Sequence, residues 1–268
     1  MGSRLDDVMI GAGLLAGGAN VIMQLGHPAV GHGVLESGVE SGRLFDHPVK
    51  RTRTTLTYLA VAVLGTDEER RAFRREVNRQ HARVRSTASS PVEYNALDPE
   101  LQLWVAVCLY RGFEDVVRAF TGPLDPGTAE EIYRSSATLG TTLQVRAEMW
   151  PPDRAAFEEY WKRGVDEVRI DDAVREHLYA IATLEFWPAV LRIPLARLNK
   201  FVTTGFLPPL FREQMRLPWS PRRQRVFERT MRAVGFVAVR SPRVVRQFPY
   251  NLYLWDLRRR ISTGRPLV

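Results

Sequence analysis

The stretch TDEERRAFRREVNRQHARVRS, residues 66–86, sets the fold class. Thr66 stands before an acidic first turn, and Glu69 follows three residues on. That is the pattern of a capping box, in which each side chain serves the other's backbone N–H. From there Phe73, Val77, His81 and Val84 recur at steps of four, four and three, the apolar stripe of an amphipathic helix. Arg74, Arg75, Asn78, Arg79 and Arg85 fall mostly on the other side. An imidazole therefore turns inward among apolar residues. Periodicity leaves two meanings open: a core histidine satisfied by its neighbours, or a metal ligand.

The same period recurs along the chain, and the alternation expected of strands is scarce. Helices are expected over 9–25, 27–37, 49–64, 98–120, 171–185, 195–216, 221–234 and 241–259, with others beginning near Asp125 and at Pro152–Asp153. Asp98 is a cap, Pro99 suits a first turn, and Leu101, Trp104, Val105, Cys108 and Leu109 share a face. Pro188 and Pro194 bracket a short piece. No repeat or low-complexity linker interrupts the pattern, so residues 1–268 read as a single all-α domain.

Composition narrows the partners. The chain is 45% hydrophobic, enough for a large core at 268 residues. Its single cysteine, Cys108, excludes an intrachain disulfide, a cysteine-rich zinc site and a four-thiolate cluster, and points to a cytoplasmic setting. The net charge is +8, almost all of it arginine, since lysine occurs only at Lys50, Lys162 and Lys200. These bases are spread along the chain and interleaved with acids, so they read as a solvated surface and no nucleic-acid partner is expected. Weak contact with a membrane surface stays open through SPRRQRVFERTMR (220–232) and WDLRRRIS (255–262). From Val8 to Leu35 there is no charged residue, but Asn20, Gln24 and several glycines interrupt the run. It reads as a buried helix rather than a span or a signal.

Several motifs fail on context. GAGLLA (11–16) fits the dinucleotide fingerprint, yet no strand-helix-strand pattern surrounds it. Helix-to-helix close contact explains its glycines better. Di-iron bundles need Glu-x-x-His pairs, which are absent, and so is the G-x-S-x-G elbow of hydrolases. A haem iron can instead be held by one histidine with no local partner. In RTRTTLTYLAVAVLG (51–65), Arg51, Thr55, Tyr58, Leu59 and Ala62 share a face. A cation and a hydroxyl within an apolar stripe suit either a ligand pocket or an arginine that snorkels out of the core.

Taken in order, LGHPAVGHGV (25–34), RTRTTLTYL (51–59) followed by Gly65-Thr66, VNRQHARVRS (77–86), YNALDPELQLWV (94–105) and GFLPPLFREQMRLPWS (205–220) resemble the haem-dependent oxygenases of the latex-clearing protein and MpaB type. The resemblance runs over most of the chain. It implies an all-α fold with a globin-like core around haem b, and His81 as the proximal iron ligand. Arg51 and Thr55 match the family's haem-adjacent arginine and threonine, and dioxygen and an apolar small molecule are the implied substrates. Rubber-cleaving members can carry a lysine just before that threonine; here the position is Thr54, which argues against the same polyisoprene chemistry. Arg85-Ser86 replaces the glycine that often follows His-x-x-Val. The sixth iron ligand is left to His27, His32 or water. Two other readings remain: a haem sensor or carrier without turnover, and a basic helical protein that binds a membrane or a partner. Oligomeric state is not legible.

Overall fold

The structure, a computed structural model, describes residues 5–39 and 43–268, with the backbone alone for Asp6 and Asp7. One turn, α1 (Leu5–Val8), and a 3₁₀ helix over Gly11–Ala16 lead into α2 (Gly17–Leu25). Proline at the first helical position opens α3 (Pro28–Leu35) and α4 (Pro48–Leu64). The capping box at Thr66 and Glu69 is formed at the start of α5 (Asp67–His81), with the Glu69 amide donating to Thr66 Oγ1 at 3.3 Å and the Thr66 amide to Glu69 Oε2 at 2.8 Å. Asp98 accepts from the Glu100 amide at 2.8 Å and starts α6 (Pro99–Thr121). Then come α7 (Pro126–Ser135), α8 (Thr138–Thr141), α9 (Arg154–Asp166) and α10 (Asp172–Ala182), three of them begun by the aspartate caps Asp125, Asp153 and Asp171. The chain closes with α11 (Ala189–Phe206), α12 (Pro209–Gln214), α13 (Pro221–Arg240), α14 (Arg243–Arg246) and α15 (Tyr250–Ser262).

The fold is all-α. Among the described residues there is no strand, only an isolated bridge between Arg85 and Asn95. The long apolar α6 lies at the centre, with α2, α8 and α13 packed on it, while α15 covers α4. No described helix is long and apolar enough to cross a membrane.

Beyond the expected 195–216 helix dividing at Pro208–Pro209 and the expected 221–234 helix running on to Arg240, three boundaries differ from expectation for local reasons. The expected 9–25 helix begins as 3₁₀ because Gly11 sits against another backbone: a Cβ there would lie 1.6 Å from the Phe248 carbonyl oxygen. This close approach accounts for a glycine in the GAGLLA motif without any nucleotide. Helix α11 runs unbroken through Pro194. The backbone bond lost to that proline belongs to the carbonyl of Val190, an exposed residue, where water can replace it. The expected 241–259 helix divides at Pro249.

Candidate active site

Helices α4 and α5 pack against each other and turn their shared faces into a cavity of about 290 Å³. Arg51, Thr54, Thr55, Tyr58 and Leu59 line it from α4. Phe73, Val77, Gln80 and His81 line it from α5. Sequence periodicity had placed Arg51, Thr55 and His81 on inward faces, and the structure brings all three to this one cavity. The remaining wall is mainly apolar, from Leu25, Val30 and Val34 to Val105 and Leu109.

Several polar contacts fix the floor. Arg74 donates to the Thr141 carbonyl and, from Nε at 3.0 Å, to that of Thr142. Gln144 Nε2 donates to Asn78 Oδ1 at 2.6 Å, and the Gln144 amide donates to the buried Gln102 at 2.8 Å. The Tyr58 hydroxyl donates to the Leu139 carbonyl. Arg74 and Asn78, expected to face water, thus tie α5 to the loop after α8. Gln102 was missed as a site residue, although a glutamine between Leu101 and Leu103 was a signal that could have found it. It also donates to the Ala96 carbonyl at 2.7 Å, which holds the 94–97 loop against the cavity.

The electrostatics of the cavity are unusual for a core. Burial first, and the positive Arg51 second, push the His81 imidazole down to about 4. It is therefore neutral at neutral pH, with a lone pair to give. Its Nδ1 is buried with no hydrogen-bond partner, so no acceptor orients that nitrogen among the described residues. Arg51 has its guanidinium pulled below the ordinary arginine value by burial, and no ion pair to it is seen among the described residues. An unpaired cation in a low-dielectric site is costly. It calls for an anionic ligand.

His27 and His32 are elsewhere. His32 Nε2 bonds Asp171 Oδ2 at 2.7 Å, the same aspartate that caps α10, so this histidine ties α3 to α10. His27 faces Glu167 at 3.4 Å and the Trp104 ring at 6.1 Å. Neither lines the cavity, so neither is placed to be a sixth ligand.

A second chamber, about 520 Å³, adjoins the first. Gln24, Leu25, Val34, Arg51, Thr55, Leu59 and Leu109 line both. Arg51 and Thr55 therefore stand at the shared wall, and the surface they keep faces the chambers. Among the described residues no cluster of three or more His, Cys, Asp or Glu could hold a metal ion. A metal at His81 would need its other ligands from a group that carries them. An iron porphyrin is such a group, and a neutral imidazole beside a buried cation without an ion pair among the described residues fits it.

An all-α protein with a histidine, an arginine and a threonine converging on paired apolar chambers defines a class of helical small-molecule site. Residues 8–236 match the catalytic domain described as ER-bound oxygenase mpaB/B'/rubber oxygenase, and the chain belongs to that family. It is 52% identical over 255 residues to Rv2237 of Mycobacterium tuberculosis and likewise to Mb2261 of Mycobacterium bovis, in each case over 95% of this chain and 100% of the relative. No solved structure matches it significantly.

Proposed function

We propose that the protein is a haem b-dependent oxygenase that uses dioxygen on an apolar small molecule, and that the whole chain acts as one domain with a globin-like core. The observation that carries this reading is the convergence of His81, Arg51 and Thr55 on one largely apolar cavity. His81 would hold the iron, its lone pair kept free of protons by burial. Arg51 would give charge-assisted hydrogen bonds to an anionic group in the cavity, such as a haem carboxylate. Thr55 would add a weaker donor at the wall between the chambers. The apolar lining excludes water, and the haem supplies the oxygen chemistry.

The adjoining chamber favours turnover over a sensor or carrier, because it offers a second apolar molecule room beside Arg51 and Thr55. The test is reaction of haem-loaded, reduced protein with isotopically labelled dioxygen and a panel of apolar alkenes and ring compounds. Label in a product is expected. Reversible gas binding with no labelled product across the panel would favour the sensor or carrier instead.

A further inference from the structure

The larger chamber is lined by Phe186 and Trp187, just before α11, and by Asn199 in its middle, and Trp187 is also exposed at the surface. Large apolar side chains on α11, α13 and α14 are covered by no described element. Val190 and Ile193 on α11 stand out to water, as do Phe236 and Val237 on α13 and Val244 and Val245 on α14. Val190 keeps 83% and Val244 73% of its surface exposed, which no half-buried core position would. The 3₁₀ helix at Gly11–Ala16 packs on both α11 and α13 and abuts the Phe248 carbonyl. Its Leu15 is exposed as well. Single exposed apolar residues are ordinary, whereas this many large ones on three helices point to an interaction surface.

Charge decides the occupant. No Asp or Glu occurs from residue 186 to 212, nor from 229 to 255. The bases there include Arg192, Arg197, Lys200, Arg232 and Arg240. Arg240 lies over the Phe236 ring at 3.7 Å, so cation and apolar surface are presented together. A second copy of the chain would bring like charges face to face. An anionic bilayer would receive apolar side chains between its lipids and arginines at its phosphates. Of the basic stretches singled out in the sequence, WDLRRRIS (255–262) is less available: Arg258 pairs with Glu69 and Arg260 with Asp256, each at 2.6 Å.

We propose that this face of α11, α13 and α14 docks on an anionic phospholipid surface, with the larger chamber opening beside it. An apolar substrate dissolved in the bilayer would then reach the chamber past Trp187 without crossing water. That last step rests on the oxygenase reading; docking does not, and it is measurable without haem.

The experiment sediments full-length protein with phosphatidylcholine vesicles, with and without phosphatidylglycerol. The anionic vesicles should carry the protein down and the neutral ones far less, with binding weakened by salt. Val190→Asp with Ile193→Asp should lower affinity tenfold or more while the circular dichroism spectrum is unchanged. Arg192→Gln and Arg197→Gln should each weaken it by about fivefold. Brominated lipid should quench wild-type fluorescence more than that of Trp187→Phe. Equal sedimentation of wild type and variants, no binding to anionic vesicles, or a dimer dissolved by the same substitutions without vesicle binding would each overturn the proposal.

Discussion

Replacing Arg51 by methionine should make the apoprotein more stable and the haem site worse. In the structure Arg51 carries a charge among Leu25, Val34, Leu59 and Leu109, without an ion pair among the described residues. Methionine fills similar volume and has no charge to desolvate. Exchanging even a buried ion pair for well-packed apolar groups is neutral or stabilising by about 1–4 kcal/mol, and a charge with no partner has less to lose. Because Arg51 keeps some surface toward the chambers, the lower half of that range is expected, about 1–2 kcal/mol. Each kcal/mol should raise the melting temperature by about 2–4 °C for a chain approaching this size. Haem should bind more weakly at the same time. A hydrogen bond to a charged group contributes about 1.5–3 kcal/mol, which is about tenfold to a hundredfold in affinity. Urea melts of the apoprotein and a haem titration measure the two effects. Destabilised apoprotein with unchanged haem affinity would refute the reasoning, because Arg51 would then be a structural cation with a satisfied environment.

Asp115 on α6 gives a pH test away from the site. Burial, chiefly, pushes its carboxyl up from 3.8 to about 7, with Arg111 opposing and Glu114 adding to the rise. Its folded value is thus above its unfolded value. The cost of ionising it is absent near about pH 4, grows as pH rises, and is complete above about pH 7. Asp115→Asn should leave stability unchanged at about pH 4 and raise it by about 2–4 kcal/mol at about pH 8; equal urea midpoints at the higher pH would contradict this. Gly235→Ala should lower the melting temperature. Its Cβ would lie 2.4 Å from the Phe120 Cβ and 2.6 Å from the Phe120 carbonyl oxygen, forcing α13 off α6. Overpacking of about 1–3 kcal/mol outweighs a helix-propensity gain of up to about 1 kcal/mol. Thr66→Ala should cost about 1 kcal/mol by uncapping α5, read as a lower urea midpoint.

How much of this was written in the sequence depends on how local the cause is. Thr66, Glu69, Asp98, Asp125, Asp153 and Asp171 mark helix starts because a cap needs only residues two or three apart. The inward faces of α4 and α5 were legible because a 3.6-residue period fixes which side chains share a side. Their meeting in one cavity was not, since the packing of two helices depends on the whole core. Arg74 shows the same limit. Its charge read as solvent-facing, but its donors reach carbonyls 67 and 68 residues away. His32 is the converse case. It was left open as a sixth iron ligand, and its bond to Asp171, 139 residues on, gives it a structural task. The apolar face on α11 and α14 was hidden because exposure is a property of what fails to cover a helix, which no motif records.

The most direct test of the account is the optical spectrum of His81→Ala beside wild type after reconstitution with haem. Wild type should show a Soret band at about one haem per chain. His81→Ala should lose that band or shift it, with added imidazole restoring it by filling the space the side chain left. An identical Soret band in both proteins, or none in wild type, would contradict the assignment of His81 as the iron ligand.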